Sequence, residues 1–340
     1  MIQPSKVMLG CDPEAFLMKG GRVIGAEKVL PGRGLSTGTK RHAVVLDGVQ
    51  FELHTNPQGT PSEVANELSL AFTALKRHLA TIEHVSVSFK GVVSIDQEEL
   101  DSLSEKARTL GCEPSKNLYG MTEINIDGTK YLKRSGGGHV QLGLSDPIYN
   151  QYNRNIDNRV DLVALMDVLV GNTCVMIDRD PEAPERRLNY GRVGEYRLPP
   201  HGLEYRTLSN FWLRSRPLTE CVMGLSHLAA SILDTSLRDG SKLDEKLMER
   251  VNIGNIVKAV QENDLGLAKE NYIPVRAFLH KHCPPTLKGL GLHAGVLDHF
   301  DCFVKGIEEH GIEHWFPEYP LEHWTSDQQV GWESFLNGVK

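Results

Sequence analysis

Apolar and polar positions change period several times along the chain, and each change marks an element. Residues 5–30 read as strand, turn and strand, with VMLGCDPEAFLM and VIGAEKV flanking Lys19-Gly20-Gly21-Arg22, a hairpin turn by composition. Pro13 lacks a ladder donor, so it predicts an edge or an interruption. After a Gly-rich basic loop at 31–42, residues 43–54 give two short strands about Asp47-Gly48. Thr60-Pro61-Ser62-Glu63 has the form of a capping box, and Val64, Leu68, Ala71, Leu75 and Leu79 then keep the helical period.

Residues 85–95 alternate as a strand, and Asp96 with Glu99 starts a second helix that Gly111 can end. The loop CEPSKNLYG leads to YLKRSGGGHVQLGL, a loop followed by a strand. A helix over 157–170 is closed by Gly171, and Pro199-Pro200-His201-Gly202 turns one strand into the next within the polar segment 187–208. Helical patterns then dominate at 217–235, 243–262 and 296–309, while 311–340, with Trp315, Trp324 and Trp332, has little periodicity and is expected to wrap over the body.

At 340 residues and 40% hydrophobic, the chain can bury a sizeable core as one large domain or two smaller ones. A net charge of −7 argues against a generally basic nucleic-acid surface. No run approaches the roughly 20 apolar residues of a membrane helix, and the start lacks a long apolar segment, so a cytoplasmic protein is expected. Cysteines 11, 112, 174, 221, 283 and 302 are scattered without a CxxC pair, which reads as reduced thiols rather than a zinc site.

Five polar pairs stand two positions apart: Asp12/Glu14, Glu52/His54, His139/Gln141, Glu195/Arg197 and Glu204/Arg206. On a strand, such pairs share a face. Phe51 and Leu53 alternate with Glu52 and His54, which predicts one apolar side and one polar side. Carboxylates gathered on such a face need cations, and an imidazole and arginines beside them point to metal and phosphate. Asp12 and Glu14 are hard oxygen ligands suited to Mg2+ or Mn2+. Gly136, Gly137 and Gly138 can bring backbone close to a phosphate or serve as a simple turn; no GKS or GKT follows, so this is not a Walker loop. Arg192, Arg197 and Arg206 would repel one another unless acids or phosphates lay between them; surface ion pairs with Glu195 and Glu204 are the competing explanation.

GCDPE near the start, GGGHVQLG in the middle and YGRVGEYRLPPHGLEYRTLSNFW afterwards resemble the phage carboxylate-amine ligases, the type-two amidoligases of the glutamine synthetase and glutamate-cysteine ligase superfamily. The resemblance runs from about residue 8 to about 215. It implies an α+β fold with a strongly curved, mostly antiparallel sheet of glutamine synthetase-like type over 1–215, and a helical part, 216–340, packed on it as part of the same domain. It further implies that ATP, Mg2+ (or Mn2+) and substrate lie on the concave face. Asp12, His139 and Glu204 would hold one metal, and Glu14 and Glu52, with Asp47, the other. Arg134, Arg192, Arg197 and Arg206 would meet phosphate or substrate carboxylate, with Glu195 as a base for the amine and Gly136, Gly137, Gly138 and Gln141 near the nucleotide. Two departures stand out: Gln141 replaces the second histidine of the family's His-x-His, and His54 stands where an amide or neutral residue is usual.

The implied reaction joins a carboxylate-bearing substrate to an amine-bearing one, an amino acid, peptide or protein, through an acyl phosphate, in the host cytoplasm if the chain is phage-encoded. Phosphotransfer of guanido-kinase type and a non-catalytic phage binding or assembly role are the alternatives.

Overall fold

A computed structural model describes Ile2 and residues 6–109, 115–122, 127–128, 130–144, 157–200, 202–282, 300–301, 304–306, 308, 321 and 324. Its strands in chain order are β1 (Met8–Cys11), β2 (Glu14–Lys19), β3 (Arg22–Ile24), β4 (Val44–Asp47), β5 (Gln50–Leu53), β6 (Val85–Ser88), β7 (Val92–Ser94), β8 (Lys116–Asn117), β9 (Lys133–Ser135), β10 (Val140–Gly143), β11 (Glu195–Arg197) and β12 (Gly202–Tyr205). They form curled antiparallel sheets with helices packed on them, an α+β arrangement. One sheet has the order β1-β10-β12-β11-β8; a second has β3-β2-β5-β4 with β6 also on β2; β7 and β9 pair alone.

The expected single strand over VMLGCDPEAFLM is two strands in two sheets, because Pro13 interrupts it. Both halves keep one neighbour across the break. Residues 51–58 run beside 9–15: Glu14 is opposite Glu52, Leu53 N–H donates to the Pro13 carbonyl at 2.9 Å, and Leu9 bridges Gln58. On the other side Glu14 N–H donates to the Gly137 carbonyl at 2.8 Å, and β1 pairs with β10. The segment 9–15 is therefore the corner at which the two sheets meet.

Register explains which face is polar. Gly10, Gln141, Glu204 and Arg197 lie in one row across β1, β10, β12 and β11, so their side chains share a face. The neighbouring rows, Leu9-Leu142-Leu203 and Cys11-Val140-Tyr205-Tyr196, turn to the other face and enter the core. That core is continuous with helical residues such as Leu228, Ile232 and Val275.

Several expected elements differ in extent. VIGAEKV ends in a 3-10 turn at Ala26–Lys28 rather than continuing as a strand. Residues 85–95 divide into β6 and β7, which join different sheets, and β8 occupies part of the expected loop. The helix begun at Asp96 stops at Asp101, and Ser104 caps a separate one, Glu105–Arg108; Gly111 lies outside the described residues. The span 243–262 is two helices, because Asn252 accepts from Asn255 N–H and caps the second. A helix at Leu265–His282 was not expected; Pro274 and Gly266 mask its pattern. Of 296–309, residues 300–301, 304–306 and 308 are helical, and the rest lies outside the described residues. So does most of 311–340, although Trp324 packs against Phe72 with ring centroids 5.1 Å apart. Cys11, Cys174 and Cys221 are buried and free; the other three cysteines lie outside the described residues. Among the described residues no helix is long and apolar enough to cross a membrane.

Gly171 does not end its helix. Asp157–Met166 continues through a π-helical turn, Asp167–Gly171, to Val175. The bare Cα of Gly171 leaves room for the Tyr205 hydroxyl, which a Cβ there would meet at 2.6 Å. That hydroxyl donates to Asp167 at 2.7 Å, as do Tyr119 at 2.8 Å and Gly194 N–H at 3.2 Å. Buried Asp167 thus fastens β12, and with it Glu204, to the helical layer. Asp167→Ala leaves two phenol hydrogens without this acceptor and is expected to lower stability by roughly 2–4 kcal/mol in urea unfolding; a change within about 0.5 kcal/mol would count against the fastening role.

Candidate active site

The corner brings the polar pairs together. From β10 and its preceding turn come His139 and Gln141, from β12 and the residue after it Glu204 and Arg206, from β11 Glu195 and Arg197, from β5 and the residue after it Glu52 and His54, and from the corner itself Asp12 and Glu14. Two groups of ligand atoms result: Asp12, His139 and Glu204 in one, Glu14, Glu52 and His139 in the other, with the atoms of each group within 4.8 Å of one another.

His139 stands at their junction and is buried. Its Nε2 lies 2.7 Å from the Tyr190 hydroxyl, which donates to Glu14 Oε1 at 2.8 Å. Its Nδ1 is buried without a hydrogen-bond partner among the described residues, 3.9 Å from Asp12 Oδ1 and 3.7 Å from Glu204 Oε1. A buried nitrogen facing two carboxylate oxygens beyond hydrogen-bond range fits a shared cation. Oxygen donors with one imidazole suit Mg2+ or Mn2+.

Gln141 takes a definite place: its amide donates to both Asp12 oxygens, at 3.1 and 3.0 Å, and so orients that carboxylate. His54 Nε2 lies 2.5 Å from Glu52 Oε2. Arg206 donates to Glu204 and, at 3.2 Å, to the Tyr190 hydroxyl; its Nε is 3.9 Å from Glu195 Oε1. Arg197 Nη1 is 3.7 Å from Glu204 Oε1.

Other expected residues are engaged differently. Glu195 is buried, accepts from the Arg192 backbone N–H at 2.9 Å and lies 3.9 Å from the Arg192 guanidinium, so it holds that turn closed. Arg134 is buried and donates to the carbonyls of Tyr131, Lys133, Arg108 and Gly128. The three glycine N–H groups bind within the protein: Gly136 to the Gly91 carbonyl, Gly137 to Glu14 Oε2 at 2.7 Å and Gly138 to the Leu208 carbonyl. Their missing side chains admit protein rather than open space, since a Cβ on Gly137 would strike His139 Nε2 and one on Gly138 the Ser209 carbonyl.

One comparison with known families bears on this geometry. Residues 130–250 match the family model described as Phage phiEco32-like COOH.NH2 ligase-type 2. The match supports the resemblance carried by the motifs. No curated protein matches the chain. The ligase-type 2 segment supplies His139, Gln141, Glu195, Arg197, Glu204 and Arg206, whereas Asp12, Glu14 and Glu52 come from outside it and reach the site through sheet pairing.

Two site residues escape a search for ionisable pairs. Tyr190 is uncharged and sits in a turn, although it begins the longest family-like motif. Arg186, fully buried, donates to the carbonyls of Gly136, Thr207 and Leu208, and so pins the glycine turn to the segment after Arg206. No periodic signal marks it.

The carboxylates outnumber the guanidiniums, and their acidity reflects it. Burial, then the Glu52 and Glu204 charges, push Asp12 up to about 7. Burial with Asp47 and Glu52 pushes Glu14 to about 8, and burial with Asp47 and Glu204 pushes Glu52 to about 8. Burial, then Arg206, Arg186 and Arg197, hold His139 well below its usual value, and burial lowers His54. Above their ordinary values of 3.8 and 4.5, the folded protein retains carboxyl protons that the unfolded chain has released, so these groups lose stability as pH rises to about 8. The histidines act with the opposite sign, but only below about 6.5. The metal-free protein is therefore expected to melt at a lower temperature at pH 8 than at pH 6.5, with millimolar Mg2+ or Mn2+ abolishing the difference. Equal melting temperatures without metal, or a difference that metal leaves intact, would contradict this charge balance.

Proposed function

We propose that the chain is an ATP-dependent carboxylate-amine ligase using Mg2+ or Mn2+. The observation that carries it is the convergence of Asp12, His139, Glu204, Glu14 and Glu52 into two ligand groups sharing one imidazole, with Arg197 and Arg206 beside them. The name of the matching family, a COOH.NH2 ligase, supplies the reaction class.

A carboxylate resists attack because its charge repels nucleophiles and oxide does not leave. Transfer of the ATP γ-phosphoryl group to a carboxylate oxygen releases ADP and gives an acyl phosphate. The amine then attacks the acyl carbon, the bond to the phosphate oxygen breaks, and amide, phosphate and a proton are released. Asp12, His139 and Glu204 would hold one cation, and Glu14 and Glu52, with Asp47 on the adjoining strand, a second. Bound cations would offset the charge of phosphates and carboxylate. Arg197 and Arg206, already oriented by Glu204, Glu195 and Tyr190, would meet phosphoryl oxygens. Gln141 keeps Asp12 turned toward His139.

The test is ADP release from ATP and Mg2+ with panels of carboxylates and amines, followed by mass spectrometry of the condensed product. Release should require both partners, and Glu204→Gln should lower turnover at least about 100-fold with the fold intact. Binding of Mg-ATP by Glu204→Gln as tightly as by wild type, together with no ADP from any pair, would overturn the proposal.

A further inference from the structure

The Tyr190 hydroxyl carries one hydrogen and two lone pairs. Among the described residues it has polar contacts with Glu14 Oε1 at 2.8 Å, His139 Nε2 at 2.7 Å and Arg206 Nη2 at 3.2 Å. A guanidinium only donates and an ionised carboxylate only accepts, so the phenol hydrogen points to Glu14 and one lone pair to Arg206. With Glu14 ionised, only the imidazole of these three neighbours can either donate or accept. Its contact is satisfied when Nε2 carries hydrogen and donates to the remaining lone pair, and a neutral imidazole then has a bare Nδ1.

We infer that Tyr190 is a positioning residue: its hydroxyl selects the His139 tautomer whose Nδ1 lone pair faces Asp12 and Glu204, and the same hydroxyl ties Glu14 to His139, linking the two ligand groups. The surroundings hold this arrangement in place. The Arg186 and Arg206 guanidiniums lie over the Tyr190 ring at 5.1 and 5.4 Å, and the His139 ring meets it edge-on at 5.7 Å. Gly137 fixes the second Glu14 oxygen through its N–H, and any side chain there would push into the contact between His139 and Tyr190. The opposite tautomer would set Nε2 and Glu14 in competition for one phenol hydrogen. It would also put a hydrogen on the Nδ1 that a cation held between Asp12 and Glu204 would need.

The link to cation binding rests on the metal reading proposed above; the tautomer does not. Metal-free protein labelled with 15N-histidine, in alkaline buffer that keeps the carboxylates ionised, reports the tautomer directly, with the His139 signals assigned against His139→Asn. Wild type should show a protonated Nε2 and a bare Nδ1, and Tyr190→Phe should shift population to the Nδ1–H form. Gly137→Ala, which keeps the phenol but wedges the pair apart, should do the same and serves if Tyr190→Phe does not fold. A wild-type Nδ1–H form, or variants with unchanged spectra, would overturn the inference. Calorimetric titration with Mn2+ alone should show about 10- to 100-fold weaker binding in Tyr190→Phe. Equal binding by both proteins would overturn the positioning role, whereas no Mn2+ uptake by wild type would defeat the metal reading and leave the tautomer to the spectra.

Discussion

Two carboxylates set directly opposite each other across a strand pair, Glu14 and Glu52, are the constraint around which the rest is arranged. Like charges in that position oppose pairing, and burial makes the opposition stronger. The surrounding structure answers it with donors on Glu14: the Gly137 amide on one oxygen and the Tyr190 hydroxyl on the other. Arg206 lies close enough to ease the charge of both acids. Burial, and then the repulsion that these donors leave, make the acids hold their protons above the usual carboxylate range.

From this follows a division within the chain. The segment that matches the ligase-type 2 family brings the imidazole, the arginines and Glu204 on or beside the antiparallel neighbours β10, β12 and β11. The acids that face them arrive from the first quarter of the sequence, through β1, β2 and β5. Neither portion alone assembles either ligand group. Asp167 on the far side of β12 then matters to chemistry it never touches, since it fastens the strand that carries Glu204.

Much of the site was legible because strands place alternate residues on one face, and four of the five polar pairs lie on a strand or reach one residue beyond it. The fifth, Asp12/Glu14, converges for another reason: Pro13 breaks the strand, and the bend carries both acids inward. What escaped the sequence lacks a period. Tyr190 acts from a turn, and Arg186 binds carbonyls, which every residue possesses and which no spacing can flag. Arg134 shows the converse, an arginine that the family resemblance assigned to phosphate or carboxylate and whose guanidinium binds backbone carbonyls. The glycine triplet was expected to approach a phosphate or to form a simple turn; in the fold its missing side chains leave room for His139, the Ser209 carbonyl and Trp212. Helix lengths were misjudged where a polar cap, Asn252 or Ser104, divides an otherwise continuous pattern, and where Pro274 and Gly266 obscure one.

The corner at residues 9–15 has a consequence for how such chains can diversify. Because that segment is gripped on one side by 51–58 and on the other by 137–143, its length is locked by two registers at once. Inserting a single residue between Cys11 and Glu14 would swap inside for outside along β1 or β2, sending an acid into the hydrocarbon layer and a leucine into the cleft. In chains built this way, the count of residues from Leu9 to Ala15 should be as invariant as the acids it carries.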